Sequence, residues 1–333
     1  MKLTPTVWAK ALTGMPRIDA VTWQSLDIFS RWLIATRAAV LVMTFTSAAL
    51  AGLFAFKAGE FHFIPWLFVT LGLCLAHATN NLLNDLTDHW KGVDKNNYFR
   101  TRYGVQPIES GLMSVKQNLL YTAVTGALAV LCGVYLWMVR GDAVITLTAV
   151  GAFFVLFYTW PLKYIGLGEP AVLLVWGPLM IGGGYYVITG DISVAVILAA
   201  VTYALAPTAV LFGKHIDKLD ADKAKGIRTL PVILGHARSR RWVMGLFIAQ
   251  YPLIVLLVIT GYFSPVVLLS GLAIPSLLRI WQYFKAPPPA TPEEAPEDVQ
   301  KVWPLYYVAA AFWYTRRFGG IFTATLIVDA VFF

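Results

Sequence analysis

The chain has 333 residues, of which 58% are hydrophobic and only 13% are charged, and it carries a net charge of +8. Soluble domains usually contain about 25% charged residues, so this composition excludes an ordinary soluble protein and indicates a membrane protein with many spans. The two cysteines, Cys74 and Cys132, each lie inside an apolar run, which excludes a disulfide framework or a cysteine-rich zinc site.

The N-terminal residues precede the first long apolar run. They contain no compact apolar core followed by a small-residue cleavage site, so we predict no signal peptide. Aromatic residues such as Trp8 and Trp23 alternate with basic residues such as Arg31. This pattern predicts an interfacial segment over residues 1–31. For residues 1–20 a disordered tail is an equally good interpretation.

Long apolar runs recur through the rest of the chain, and a membrane-spanning helix needs roughly 20 apolar residues. We predict an all-α, polytopic membrane protein with about nine transmembrane helices in a bundle. Arg316 and Arg317 interrupt the last span, and we place them at its start, near the headgroups; residues 302–313 either lie along the surface or extend the helix. The predicted spans are 32–56, 63–83, 118–139, 143–160, 170–190, 192–213, 241–261, 264–284 and 314–333.

The connections between spans alternate in charge. The 84–117 loop carries five Lys or Arg residues and the 214–240 loop carries seven, whereas the connections on the other side are nearly bare. The positive-inside rule therefore places the N-terminus and these loops in the cytoplasm, in a cytoplasmic or inner membrane. The Pro- and acid-rich stretch 286–299 is predicted to be a flexible spacer.

Two polar loops that contain acidic residues lie between the predicted spans. One follows the second span, and the other follows the sixth span, four helices later. This arrangement suggests a single domain over 32–333 that consists of two four-helix halves and a ninth helix. The two loops would then face each other at the cytoplasmic opening of a central cavity.

The first polar loop begins with a dense group of carboxylates and carboxamides at residues 80–94. If the preceding helix continues, Asn81, Asp85 and Asp88 share one face. Charged groups at membrane depth are costly and mark functional sites, and converging acids repel each other unless a cation joins them. Mg²⁺ is the natural candidate, because it accepts carboxylates together with waters and substrate phosphates. The alternative is a solvated helix end with ordinary caps.

The second polar loop, residues 213–231, mixes acids and bases at the end of an apolar helix. Acids with a metal bind a polyphosphate, and bases bind its remaining oxygens. A polar mouth above an apolar bundle fits a diphosphate on a long isoprenoid tail. Aromatic side chains there are candidates to shield an allylic cation, although packing is the stronger interpretation for each one. They are Trp90, Tyr98, Tyr158 and Trp160.

These motifs resemble the UbiA superfamily of intramembrane prenyltransferases, and most closely its menaquinone (1,4-dihydroxy-2-naphthoate prenyltransferase) branch. The similarity extends from the first span to about residue 284. Its first motif is Asn84-Asp85-x-x-Asp88 with Asp94, and its second is the Asp-Lys-Ala-x-Gly-Ile-Arg-Thr-Leu-Pro run at 222–231. Tyr158, Lys163 and the Gly-Leu-Gly-Glu run at 166–169 look like the family's third polar loop.

The resemblance implies transfer of a prenyl group from a prenyl diphosphate to an aromatic or quinol-precursor acceptor in the lipid bilayer, as in menaquinone biosynthesis. No nucleic-acid partner is expected. The implied Mg²⁺ ligands are Asn84, Asp85, Asp88, Asp94 and Asp222. Asp85, Asp88 and Asp222 are the implied catalytic residues. The implied diphosphate contacts are Asn81, Tyr158, Lys163, Lys218 and Arg228.

The second motif departs from this family pattern. The menaquinone branch usually presents acids at the positions of His215 and Lys218, which share a helix face with Asp222. On a regular helix Asp217 and Asp220 point elsewhere. Lys218 either neutralises diphosphate in place of a metal or only pairs with Asp222. His215 is a general base, a metal ligand or simply a polar residue at a helix end.

A further departure is Gln106-Pro107, where the family commonly has Arg-Pro, so a positive charge near the acceptor or diphosphate is missing. Two other functions remain compatible with the motifs. One is a membrane terpene cyclase, in which the donor's own double bonds attack the cation. The other is a non-catalytic membrane carrier or assembly protein with a degenerate second site. The intact first motif favours the prenyltransferase.

Overall fold

A computed structural model describes residues 4–14, 16, 18–92 and 106–333, and all regular structure in these ranges is helical. The prediction of an all-α fold is therefore confirmed. The helices are α1 (Pro5–Thr13), α2 (Ala20–Ser25), α3 (Ile28–Ala35), α4 (Ala38–Lys57), α5 (Phe63–Trp90), α6 (Val115–Arg140), α7 (Ala143–Phe157), α8 (Gly168–Leu174), α9 (Gly183–Thr189), α10 (Val194–Asp217), α11 (Leu219–Ala224), α12 (Leu230–Leu234), α13 (His236–Ile259), α14 (Ile274–Lys285), α15 (Glu297–Gln300) and α16 (Tyr306–Phe332).

Shorter helical segments complete the chain. Turns of 3₁₀-helix cover Leu162–Ile165, Pro265–Ala273 and Pro292–Glu294, and a π-helical segment, Val175–Gly182, joins α8 to α9.

The chain divides into two compact units. The first unit is Met1–Thr46 with Leu67–Trp160, and the second unit is Ser47–Trp66 with Pro161–Phe333. Each has its own buried apolar core. The first polar motif belongs to the first unit, and the second motif belongs to the second.

Seven helical segments of the described chain are long and apolar enough to cross a membrane. Apolar side chains also point outward, as on α6, where Leu131 is 62% and Met138 is 71% exposed, which suits contact with lipid. The count of nine spans and the central cavity remain predictions. The seven segments are Ala38–Lys57, Phe63–Trp90, Val115–Arg140, Gly168–Thr189, Val194–Asp217, His236–Ile259 and Pro265–Lys285.

Two predicted spans differ from the helices that the structure describes. The last helix starts at Tyr306 rather than at 314, so Arg316 and Arg317 lie well inside it and not at its start. Residues 306–313 extend the helix, because the alanines there favour helix and Arg316 can stack over Phe312 one turn earlier, 5.8 Å from the ring centre. The predicted span 32–56 is likewise two helices, α3 and α4.

The N-terminal helix α1 is attached to the start of α3 through Asp27. The Asp27 carboxylate caps α3 by accepting from the Ser30 amide at 2.8 Å, and the Thr4 hydroxyl donates to it at 2.6 Å. Burial acts to raise the pKa of Asp27, but the hydrogen bonds from Ser30 and Thr4 lower this pKa well below its usual range. Pro5–Thr13 is therefore an ordered helix, and the interfacial location of residues 1–31 stays a prediction.

In the second unit, α10 packs closely against the start of α16. A Cβ on Gly213 would lie 2.9 Å from the Tyr307 carbonyl oxygen, so only glycine permits this approach. The Asp217 carboxylate accepts hydrogen bonds from the backbone amides of Tyr307 (2.8 Å) and Val308 (3.0 Å). Since the residue before α16, Leu305, makes no side-chain cap, Asp217 caps this helix from a neighbouring one.

The far end of α16 is held by an ion pair in the second unit. Asp329 lies 2.9 Å from the Lys57 ammonium at the end of α4, and it accepts a 2.7 Å hydrogen bond from the Ser264 amide. Because Asp329 is fully buried, removal of either partner would leave an uncompensated charge.

The contact at Gly213 can be tested with a matched pair of substitutions. Gly213→Ala should lower the melting temperature of the detergent-solubilised protein relative to Gly245→Ala, because overpacking costs about 1–3 kcal/mol. Both changes gain the same helix propensity, and nothing lies within 4 Å of a Cβ on Gly245. Equal melting temperatures for the two variants would contradict the close approach of α10 and α16.

Candidate functional site

The first cluster lies on the last three turns of α5. The helix continues to Trp90, so Asn81, Asp85 and Asp88 share one face, as the sequence predicted. Asp85 and Asp88 are only 2% and 1% exposed. Two buried carboxylates one turn apart are unfavourable unless cations or hydrogen-bond donors compensate them. Asp94 and Tyr98 lie outside the described residues.

One such cation is Arg37, which lies in the break between α3 and α4. The Arg37 guanidinium forms an ion pair with Asp85, and one turn earlier Asn81 Nδ2 donates to the Thr36 carbonyl oxygen at 2.7 Å. Arg37 has φ +54°, a left-handed conformation that non-glycine residues rarely adopt. The side chains of α5 thus hold both residues of the break, and the break directs Arg37 to the carboxylates.

Arg37 is a residue that the sequence analysis missed. The signal was present, because an arginine inside a predicted membrane span is costly and usually functional. His77 carries the same signal: it lies on α5 four residues before Asn81, and its Nδ1 is 2.7 Å from the hydroxyl of the fully buried Thr44.

The carboxamides of α5 hold the end of α7 in the first unit. Asn80 Nδ2 donates to the Val155 carbonyl oxygen at 2.8 Å, and Asn84 Nδ2 donates to the Thr159 hydroxyl at 3.0 Å. Tyr158, a predicted diphosphate contact, is the neighbour of Thr159 in sequence. The next residue, Trp160, lies with its ring centre 4.8 Å from the Lys91 ammonium.

The donor set of this cluster fits Mg²⁺. Asp85, Asp88 and Asn84 offer oxygen atoms within one helical turn, and Mg²⁺ is usually held by one or two carboxylates plus waters and substrate phosphates. Within the described ranges no three His, Cys, Asp or Glu side chains are grouped closely enough to form a metal site by themselves. Non-protein oxygens would therefore complete the coordination shell.

The second cluster begins where α10 ends. Lys218, with φ −105° and ψ 6°, separates α10 from α11. Its ammonium lies 3.1 Å from Asp222 Oδ1, and the two side chains are 8% and 3% exposed. The Lys218–Asp222 ion pair that the sequence offered as one alternative is thus present and buried.

A second buried pair joins the third polar loop to the second motif. His215 Nδ1 lies 2.6 Å from Glu169 Oε1, and the side chains are 4% and 1% exposed. The other oxygen, Glu169 Oε2, is buried without a hydrogen-bond partner in the part of the chain that the structure describes. The sequence named both residues but did not pair them, because they are 46 positions apart and only the packing of α8 on α10 brings them together.

In the second unit, the end of the turn that carries Lys163 lies close to the Arg228 segment. Lys163 is buried in the turn Leu162–Ile165, which ends at Gly166 with φ +81°. The positive φ of Gly166 favours glycine at this position, and a Cβ there would lie 3.5 Å from the Arg228 carbonyl oxygen and closer still to the end of the Ile233 side chain. The Arg228 side chain itself is exposed.

The remaining polar residues of the motifs have other surroundings. Asp217 caps α16, and Asp220 is exposed with a carboxylate oxygen 3.3 Å from His236 Nε2, so both point away from the cluster as predicted. Gln106 is buried in the first unit, and its Nε2 has no hydrogen-bond partner among the described residues. Gln106, which stands where the family commonly has Arg, is therefore a buried residue and not a surface substitution.

Comparison with known proteins agrees with the motifs. The model of the UbiA prenyltransferase family matches residues 45–305. The 1,4-dihydroxy-2-naphthoate octaprenyltransferase of Escherichia coli K12 is 28% identical over 228 residues, which cover 67% of this chain and 74% of that protein. The digeranylgeranylglyceryl phosphate synthase of Natronomonas pharaonis is 31% identical over 227 residues, covering 66% and 76%.

Solved structures share the fold. A UbiA homologue from Archaeoglobus fulgidus bound to GPP and Mg²⁺ superposes with a TM-score of 0.58 at 15% identity, covering 88% of this chain and 99% of that one. A homologue from Aeropyrum pernix K1 gives a TM-score of 0.60 at 16% identity, covering 87% and 98%. With apolar helices, motifs and family model in agreement, the chain belongs to the UbiA prenyltransferase family and is an integral membrane prenyltransferase.

Proposed function

We propose that the protein transfers a prenyl chain from a prenyl diphosphate to an aromatic or quinol-precursor acceptor in an Mg²⁺-dependent reaction that releases diphosphate. The observation that carries this proposal is the buried pair Asp85 and Asp88 on one face of α5, with Arg37 beside them. A relative named for dihydroxynaphthoate and a homologue bound to GPP and Mg²⁺ support the acceptor class, the donor and the metal.

The first cluster is assigned to the metal. Asp85, Asp88 and Asn84 would hold Mg²⁺ together with Asp94, which lies outside the described residues. When bound, the ion neutralises the diphosphate oxygens and so favours departure of the leaving group. Asn81 and Tyr158 are assigned to the diphosphate.

The basic residues of the second unit are assigned to the leaving group. Lys163 and Lys218 are buried cations, and charge-assisted hydrogen bonds from such groups to phosphoryl oxygens are strong. Arg228 would add a third cation. In the reaction the C1–oxygen bond breaks with its electron pair leaving on diphosphate, and C1 forms a bond to a ring carbon of the acceptor.

The ring carbon must then lose its proton, and His215 is proposed as the base. Glu169 holds its Nδ1, which leaves Nε2 as the nitrogen to accept a proton, and the Glu169 carboxylate would stabilise the resulting imidazolium. The proton thus moves from the ring carbon to His215.

Two other functions are separated from this one by product analysis. The purified protein is incubated with Mg²⁺, geranyl or longer prenyl diphosphates, and 1,4-dihydroxy-2-naphthoate, with a glyceryl phosphate lipid as a second acceptor; product masses are then measured. We expect a prenylated aromatic product. A hydrocarbon formed without acceptor would indicate a terpene cyclase. Donor binding without any product and without a response to Mg²⁺ would indicate a carrier.

Removal of one carboxylate of the first cluster tests the metal assignment. Asp88→Ala should lower turnover under saturating Mg²⁺ by about a hundredfold or more, because the leaving group loses its electrostatic stabilisation. Asp220→Ala, at an exposed acid, is the control and should retain activity. Full activity in Asp88→Ala would contradict the assignment.

The proposed base is tested in the same assay. His215→Gln should lower kcat by about 10²–10⁴-fold while the affinity for geranyl diphosphate changes little, because proton transfer and not donor binding is affected. The exposed His236 provides a control in His236→Gln. A variant with lower thermal stability but unchanged kcat per folded molecule would show that His215 only packs against Glu169.

A further inference from the structure

In the second unit, the carboxylates at and next to the second motif all face partners supplied by the protein. Asp217 accepts from two backbone amides of α16, and Asp220 is exposed beside His236. Of the two buried acids that remain, Asp222 is paired with Lys218 at 3.1 Å and Glu169 with His215 at 2.6 Å.

This arrangement does not fit a divalent metal. A site for Mg²⁺ needs carboxylate oxygens about 2.0–2.1 Å from the ion in octahedral geometry. Here an ammonium group lies beside Asp222, at a position where the resemblance to the menaquinone branch implies an acid. At the first cluster Asp85, which is paired with Arg37, has a second carboxylate, Asp88, three residues further on. The position four residues before Asp222 holds Lys218 instead of an acid, so an ion at Asp222 would lie next to a positive charge without that second carboxylate, which is unfavourable.

We propose that Lys218 replaces a divalent ion at the second motif, so that this cluster binds the donor diphosphate through a fixed ammonium group and the metal is confined to the first cluster. This inference rests on the proposed function and specifies how its site is charged. An ammonium has three donor hydrogens, so Lys218 can contact Asp222 and a phosphoryl oxygen together.

Asp222 acts in this proposal as a positioning residue. A lysine side chain has large rotamer entropy, and ordering it at the moment of binding would weaken the contact with the diphosphate. The ion pair with Asp222 orders the side chain in advance, in a place where both groups are shielded from water. The charge of Lys218 is also present whatever the Mg²⁺ concentration, unlike the charge of an exchangeable ion.

The number of bound metal ions distinguishes a protein whose second motif uses the Lys218 ammonium from one whose second motif binds a metal ion. Mn²⁺ replaces Mg²⁺ as a spectroscopic probe, and bound Mn²⁺ per chain is measured by electron paramagnetic resonance with inorganic pyrophosphate present. Lys218→Asp, which introduces a carboxylate four residues from Asp222, should bind about one more Mn²⁺ per chain than the native protein. Lys223→Asp makes the same charge change at an exposed site and should bind the same number as the native protein.

Equal Mn²⁺ counts for the native protein and Lys218→Asp would overturn the proposal. If Lys218→Asp does not fold, the proposal is tested by the affinities of Lys218→Met and Lys218→Arg for geranyl diphosphate. Lys218→Met should bind about ten- to a hundredfold more weakly, as expected for one lost charged hydrogen bond, with an unchanged Mn²⁺ count, and Lys218→Arg should bind more tightly than Lys218→Met. Unchanged donor affinity in Lys218→Met would also overturn the proposal.

Failure of the proposed function gives a different result. A native protein that neither binds geranyl diphosphate nor transfers its prenyl group would refute the prenyl transfer itself. A native protein that transfers the group, and whose Mn²⁺ count does not change in Lys218→Asp, would refute only the role of Lys218.

Discussion

The interaction on which the first unit depends is the ion pair between Asp85 and Arg37 inside a membrane protein. A carboxylate buried on an apolar helix is costly, and it persists when a cation meets it. The cation comes from a backbone position that is itself unusual, the left-handed residue between α3 and α4. Neither the break nor the buried acid would be expected alone, and each compensates the other.

The second unit also contains buried carboxylates, and different basic residues compensate their charge. Three of its buried acids, Asp222, Glu169 and Asp329, are each matched by one basic side chain, Lys218, His215 and Lys57. In both units, therefore, buried acids are balanced by charge pairing with basic groups of the protein. The two clusters differ in whether a second acid lies close to the paired one. In the first cluster Asp88 lies one turn from Asp85, and this pair of oxygen donors makes the cluster suitable for a divalent ion.

Sequence alone predicted much of this arrangement. The helical class, the continuation of α5 through its polar residues and the direction of Asp217 and Asp220 away from the Lys218–Asp222 pair all follow from hydropathy and 3.6-residue periodicity. For the last helix, the alternative in which residues before 314 extend it is confirmed from Tyr306 onward, whereas the two arginines do not lie at its start, and Arg316 stacks on Phe312 within the helix. The break at Arg37 and the pairing of Glu169 with His215 could not be predicted, because both depend on partners distant in sequence.

The cap that Asp217 places on α16 joins the last helix to the motif that binds the leaving group in our proposal. The family model ends at residue 305, directly before α16, so this helix lies outside the matched region. A chain shortened before Tyr306 would remove both amide donors of the Asp217 carboxylate, which lies two residues from His215. The C-terminal helix is for this reason part of the scaffold of the second motif, and sequences that differ only after residue 305 can still differ at the end of α10 that carries His215 and Lys218.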